Sequence, residues 1–163
     1  MNAFSIEAQL DSFQELLAIA SETELIYTLK ARLVPGLGVA QGTLARQLPL
    51  ISQSFPEVSG CFSGTINMEF ECSLEVTQPD HRTAPLAWTP SGRTTEVFDL
   101  VRIELEFGPL STRVPAWLYI AHASPHRGTS TIHEVITQQV NLSEVSECRI
   151  HLRASAVTLT PTH

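Results

Sequence analysis

EVFDLVRIELEFG, residues 96–108, carries the strongest β pattern in the chain. Val97, Leu100 or Val101, Ile103, Leu105 and Phe107 mark one side of it, with Arg102, Glu104 and Glu106 on the other. Alternation of apolar and charged residues over this length signals a half-buried strand. VPAWLYIA (114–121) follows after the loop GPLSTR, and IHEVITQQVNL (132–142) after the loop HASPHRGTST. ECRIHLRASAVTL (147–159) closes the β-rich part. Upstream, Leu25, Tyr27, Leu29, Ala31 and Leu33 alternate, and so do Ile66, Met68 and Phe70 within GTINMEFECSLEV (64–76). Five or six strands at short spacing predict an all-β barrel or sandwich.

The remaining segments read as connections or covers. Residues 5–20 place Ile6, Leu10, Phe13 and Leu17 at i, i+4, i+7 and i+11, with Leu16 widening the stripe, which predicts an N-terminal amphipathic helix. Ser5 is its expected N-cap, and the SETE that follows (21–24) reads as a turn. In TLARQLPLISQSFPEVSG (43–60), Pro49 and Pro56 bracket at most a short helix, since proline is tolerated in a first helical turn and not inside one. TQPDHRTAP (77–85) reads as a polar loop, and a short strand is expected around Trp88 before the turn TPSGR. The organisation expected is one domain over residues 1–163, with a barrel over 25–153 and a C-terminal tail over 154–163.

Composition narrows the function classes. The chain has 163 residues, 43% of them hydrophobic, a net charge of −7, and Lys30 as its single lysine. That balance argues against nonspecific nucleic-acid binding, which needs a basic surface. No apolar run approaches the roughly 20 residues that span a bilayer, so no membrane partner is expected. The N-terminus lacks the basic region and apolar core of a signal peptide. Three separated cysteines imply no disulfide framework, so a cytoplasmic setting is expected.

Two stretches carry the chemistry. LKARLVPGLGVAQG (29–42) sets Gly36, Gly38 and Gly42 close together after a strand, and such a loop exposes backbone N–H groups to phosphate. Its spacing is not that of a dinucleotide fingerprint, no clear helix and βαβ unit follow, and there is no Gly-Lys-Ser/Thr P-loop. CFSGTINMEF (61–70) sets Thr65 and Asn67 two apart, so both side chains leave one face of a strand and offer neutral oxygens. Such oxygens beside bound phosphates suit Mg²⁺. Glu134, in the apolar-flanked run Ile132-His133-Glu134-Val135-Ile136, is a candidate to orient or deprotonate a hydroxyl. His122, His126 and His133 lie in or beside a loop rich in Ser, Pro and Gly, where the i, i+4 metal logic of a helix fails, and they read as solvated. Glu104 and Glu106 read as a solvated strand face.

Together these pieces resemble the archaeal-type CTP-dependent riboflavin kinases. That family carries a Ser-Gly-Leu-Gly-Glu-Gly loop and, downstream, Pro-Gly-Thr-Leu-Asn. The counterparts are Pro35-Gly36-Leu37-Gly38-Val39-Ala40 and Ser63-Gly64-Thr65-Ile66-Asn67, and the 28-residue step from Gly36 to Gly64 matches the family's spacing. The Phe98 strand, Ala116-Trp117-Leu118-Tyr119 and His133-Glu134-Val135-Ile136 resemble its later strands. The resemblance covers residues 28–152. It implies a six-stranded cradle-loop closed barrel, related to bacterial riboflavin kinases, with the N-terminal helix as an addition. It further implies nucleotide-phosphate binding by Gly36, Leu37, Gly38, Val39 and Ala40, Mg²⁺ held by Thr65 and Asn67, and Glu134 at the flavin side of the site.

The departures are specific. The loop's acidic residue is Val39 and its last glycine is Ala40; Val58-Ser59-Gly60-Cys61 stands where the family has Gly-Phe-x-Pro; Thr137-Gln138 replaces the Ala-Pro after the glutamate segment. The function expected is a divergent riboflavin kinase-like phosphotransferase using a nucleoside triphosphate, CTP by the resemblance. The alternative is a barrel that binds a flavin or nucleotide without catalysis. A third reading, a structural β domain docking through its N-terminal helix, belongs to a different class. Oligomeric state is not readable.

Overall fold

A computed structural model describes residues 24–35, 40–123 and 130–162. The helix expected over residues 5–20, the loop residues Gly36, Leu37, Gly38 and Val39, and His126 lie outside the described residues. The described residues form eight strands: β1 (Ile26–Val34), β2 (Ile66–Val76), β3 (His81–Arg82), β4 (Phe98–Phe107), β5 (Thr112–Ala121), β6 (Ser130–Thr137), β7 (Glu147–Arg153) and β8 (Val157–Pro161). Every pairing is antiparallel. Six strands run β1-β7-β4-β5-β6-β2, and β2 returns to β1 from Ala31↔Phe70 to Val34↔Asn67, closing a barrel. β3 adds to β4 and β8 adds to β2 outside that ring.

Closure sorts the side chains by parity. The inward set includes Ala31, Met68, Phe70, Val101, Ile103, Leu105, Ala116, Leu118, Val135, Cys148, Ile150 and Leu152, and it fills the barrel. This set answers the alternation read from β1, β2 and β4. Leu25 and Tyr27, at the start of the β1 pattern, are the exceptions and remain exposed. The β4–β5 hairpin turns at Gly108, whose φ of +77° is a left-handed conformation that glycine adopts without a Cβ clash.

A second apolar layer lies outside the barrel wall. The helix α1 (Ala40–Ser54) lays Leu44, Leu48 and Ile51 over Phe98, Leu100, Trp117, Tyr119 and Ile136, with Phe55 and Val58 extending the contact. A 15-residue helix with Pro49 inside it corrects the expectation of a short helix at most, and of no helix after the glycine loop. Proline in a helix interior costs about 3 kcal/mol, whereas each large apolar side chain taken out of water returns about 1.5–3 kcal/mol. Leu44, Leu48, Ile51 and Phe55 together outweigh that cost. Pro49 itself is exposed, so the carbonyl it leaves without a partner is on the water side.

Three further differences are local. The segment expected to be a polar loop, residues 77–85, contains β3, held to β4 at His81↔Leu100 and Arg82↔Asp99. Around Trp88 there is no strand, only a single bridge between Leu86 and Glu96, and Trp88 Nε1 donates to Glu96 Oε2 (2.8 Å). Residues 154–163, expected as a tail, contain β8, which pairs with β2 from Cys72↔Pro161 to Val76↔Val157.

Replacing Pro49 by Ala tests the helix directly. The interior cost of about 3 kcal/mol is relieved, less up to about 1 kcal/mol for the freer unfolded chain. Urea denaturation should therefore show Pro49→Ala stabilised by about 2–3 kcal/mol; a neutral or destabilising result would contradict a continuous helix.

Candidate functional site

β2 and β6 bring the separately chosen residues together. In their register Asn67 pairs with Glu134, and on the other side of β2 Asn67 pairs with Val34 at the end of β1. Thr65, just before β2, donates its hydroxyl to Glu134 Oε1 at 3.0 Å. Thr65, Asn67 and Glu134 are all half-buried, on the outer side of the wall. Their parity decides this: Ile66, Met68 and Val135, the residues between and beside them, point into the barrel core. The chain leaves β1 for residues 36–39 next to Asn67 and resumes at Ala40 as the first residue of α1. Ala40 and Gly42 are therefore helical.

Tyr119 completes the row. It pairs with Glu134 across β5 and β6, so Asn67, Glu134 and Tyr119 lie side by side on three adjacent strands. Its hydroxyl donates to Gln47 Oε1, on α1. Burial pushes the Tyr119 phenol well above its ordinary range, the charges of Glu134 and Glu96 push the same way, and the Gln47 hydrogen bond opposes them. Neither Tyr119 nor Gln47 was singled out from the sequence. Tyr119 sits in an apolar run, and Gln47 falls on the apolar stripe of a helix that Pro49 had hidden.

The donor chemistry fits a hard cation. A hydroxyl that gives its proton to a carboxylate keeps its lone pairs for a metal, and Asn67 adds an amide oxygen. Thr65 and Asn67 are two neutral oxygen donors beside the Glu134 carboxylate, a chemistry that suits Mg²⁺ sharing its remaining positions between water and phosphate. Among the described residues no three His, Cys, Asp or Glu side chains gather as metal ligands. A thiol nucleophile is disfavoured: burial pushes Cys61 and Cys148 up to about 11, and Cys72 is also raised.

The histidines separate. His133 is not a solvated loop residue: it is on β6, 3% exposed, packed edge-on against Phe70 with Nε2 2.8 Å from Ser130 O. The inward parity it shares with Val135 puts it there. His122 donates from Nε2 to Asp99 Oδ2 at 2.9 Å, and Arg82 grips both oxygens of Asp99 at 2.7 and 2.9 Å. Glu106 is not a solvated carboxylate either, since His151 (3.2 Å) and Arg113 (3.5 Å) close over it. Arg102 joins Glu57 and Asp80, and Arg153 reaches Asp80 at 2.6 Å, tying β4 and β7 to the loop before β3. These clusters are paired internally and act as clamps on the fold.

No protein-family model matches the chain, and no curated protein matches it.

The Asp99 clamp sets a pH dependence. Burial raises its pKa, but the hydrogen bonds from Arg82 and His122 outweigh burial and hold it below the ordinary value. A depressed folded pKa contributes stability that is full above the unfolded value of about 3.9 and is lost as pH falls through the lower folded value. Asp99→Asn should thus be less stable than wild type at pH 7, with the gap narrowing below about pH 4. Denaturation midpoints from pH 7 to 2.5 measure this, and a gap that stays constant would refute the clamp.

Proposed function

We propose that this chain is a divergent riboflavin kinase-like phosphotransferase of the CTP-dependent type, with a cradle-loop barrel. It moves the terminal phosphoryl group of a nucleoside triphosphate to a hydroxyl of riboflavin or a related small molecule. The observation that supports this most is the hydrogen bond from Thr65 to Glu134 with Asn67 in register beside them. Three residues drawn from two motifs far apart in sequence meet at one place, beside the end of β1.

In this reading residues 36–39 and the start of α1 receive the phosphates. The first turn of a helix has unpaired N–H groups and a positive dipole end, and α1 carries no acidic residue there to oppose an anion. Thr65 and Asn67 would hold Mg²⁺, which would supply charge neutralisation for the phosphates. Glu134 takes the proton of the attacking hydroxyl as the new phosphorus–oxygen bond forms and the nucleoside diphosphate leaves. Thr65 fixes the carboxylate's orientation for that transfer. Phe62, 42% exposed and anchored by its N–H to Thr137 O at 2.8 Å, offers an aromatic face at the end of the Glu134 strand. A flat ring system is the kind of acceptor it suits.

A second reading, a barrel that binds nucleotide or flavin without transfer, rests on Val39 and Ala40, where the family's loop has an acidic residue and a glycine. Asn67→Ala tests the metal site that both readings share. It removes one oxygen ligand at an outward position, so the melting temperature should change little. Mg²⁺-dependent nucleotide affinity or transfer should fall at least about tenfold. Thermal-shift and transfer assays with riboflavin, CTP, ATP and Mg²⁺, singly and combined, read both. Mg²⁺-dependent binding without transfer selects the binding protein, and no nucleotide-dependent stabilisation of wild type by Mg²⁺ rejects the kinase.

A further inference from the structure

The layer between α1 and the barrel wall is largely apolar, and a side-chain hydrogen bond crosses it. Gln47 (2% exposed) and Tyr119 (6% exposed) are buried there, among Leu44, Leu48, Leu100 and Ile136, and hydrogen-bond to each other. A leucine and a phenylalanine would fill the same space without the desolvation that a buried amide and phenol carry. Buried polar pairs of this kind are best attested as devices that fix register. Apolar contact alone is non-directional and permits sliding, whereas a hydrogen bond specifies distance and angle.

What this pair would register is visible from its two ends. Tyr119 stands directly opposite Glu134 on the neighbouring strand. Gln47 lies two helical turns after Ala40, where the chain resumes from residues 36–39. We infer that the Tyr119–Gln47 hydrogen bond is a positioning pair, which locks α1 at one axial setting against the wall and so fixes the start of the helix relative to Thr65, Asn67 and Glu134. The inference rests on the phosphotransferase reading and adds two residues to it. Neither touches the reacting atoms. They hold the phosphate-facing end of the helix and the carboxylate strand at one separation.

The test uses the full chain and calorimetric titration with Mg²⁺ plus CTP, and Mg²⁺ plus ATP, alongside melting temperature. Tyr119→Phe strands the buried Gln47 and should lower both the melting temperature and the nucleotide affinity, the latter about tenfold. The double variant Tyr119→Phe/Gln47→Leu replaces the polar pair by an apolar one. It should recover the melting temperature while affinity stays about tenfold down, because packing returns and the axial lock does not. If affinity recovers together with stability, the pair is only structural and the inference fails. If wild type binds and every variant binds equally, the positioning role alone is refuted. If wild type takes up neither nucleotide with Mg²⁺, the phosphotransferase reading fails and takes this inference with it.

Discussion

Closure of the barrel hangs on four residue pairs, Ala31↔Phe70 to Val34↔Asn67, where β1 meets β2 while its preceding residues are still paired to β7. Without that seam the sheet would have two long open edges, which natural sheets avoid because unpaired N–H and C=O groups recruit other strands. With it, Ala31, Met68 and Phe70 are sealed into the core. The same seam sets Asn67 against the end of β1. The constraint that completes the hydrophobic interior therefore also brings the chain leaving β1 to the edge of the candidate site.

Both cores depend on this wall being packed on its two faces in different places. Where α1 covers it, the strands are buried continuously: Phe98 to Val101, Ala116 to Tyr119 and Val135 to Thr137. Where α1 does not reach, the outer face carries charges paired across strands, such as Arg32–Glu69 and Arg113–Glu104. Exposed pairs of this kind are screened by solvent and add little to stability, so their role is to keep that face polar while the interior supplies the stability.

This division explains what could be read from the sequence. The alternation in β1, β2 and the second half of β4 was legible because one face is wet. The choice between Leu100 and Val101 was not, because both are buried, on opposite sides of the wall. α1 has Leu44, Leu48 and Ile51 at i, i+4 and i+7, with Phe55 just past its end at i+11, the spacing on which a helix is expected over residues 5–20. Pro49 masked it, since a local penalty is visible in sequence and the tertiary burial that overrides it is not. Thr65, Asn67 and Glu134 were each legible as candidates. Their meeting was not, because it depends on the β2–β6 register, and a slip of one residue would turn Glu134 inward. Gln47 and Tyr119 gave no separate signal, because their meeting depends on how α1 lies on the wall.

The interior of the barrel is filled by side chains from all six strands, so chemistry is left to the outside of the wall. There, at the margin of α1, burial falls off along a single row of neighbours. Tyr119 is covered, Glu134 half-covered, and Asn67 lies beyond it toward β1. A carboxylate in the open is solvated and weakly directed; one fully under the helix would be unreachable and costly to keep charged. At the margin Glu134 has low-dielectric packing on the Tyr119 side and a hydrogen-bond donor, Thr65, on the other. A polar group that must be both oriented and reached by a ligand is best held at such a boundary. Helix and barrel each supply half of it, so the extra layer outside the wall is as much a part of the candidate site as the strands that carry its side chains.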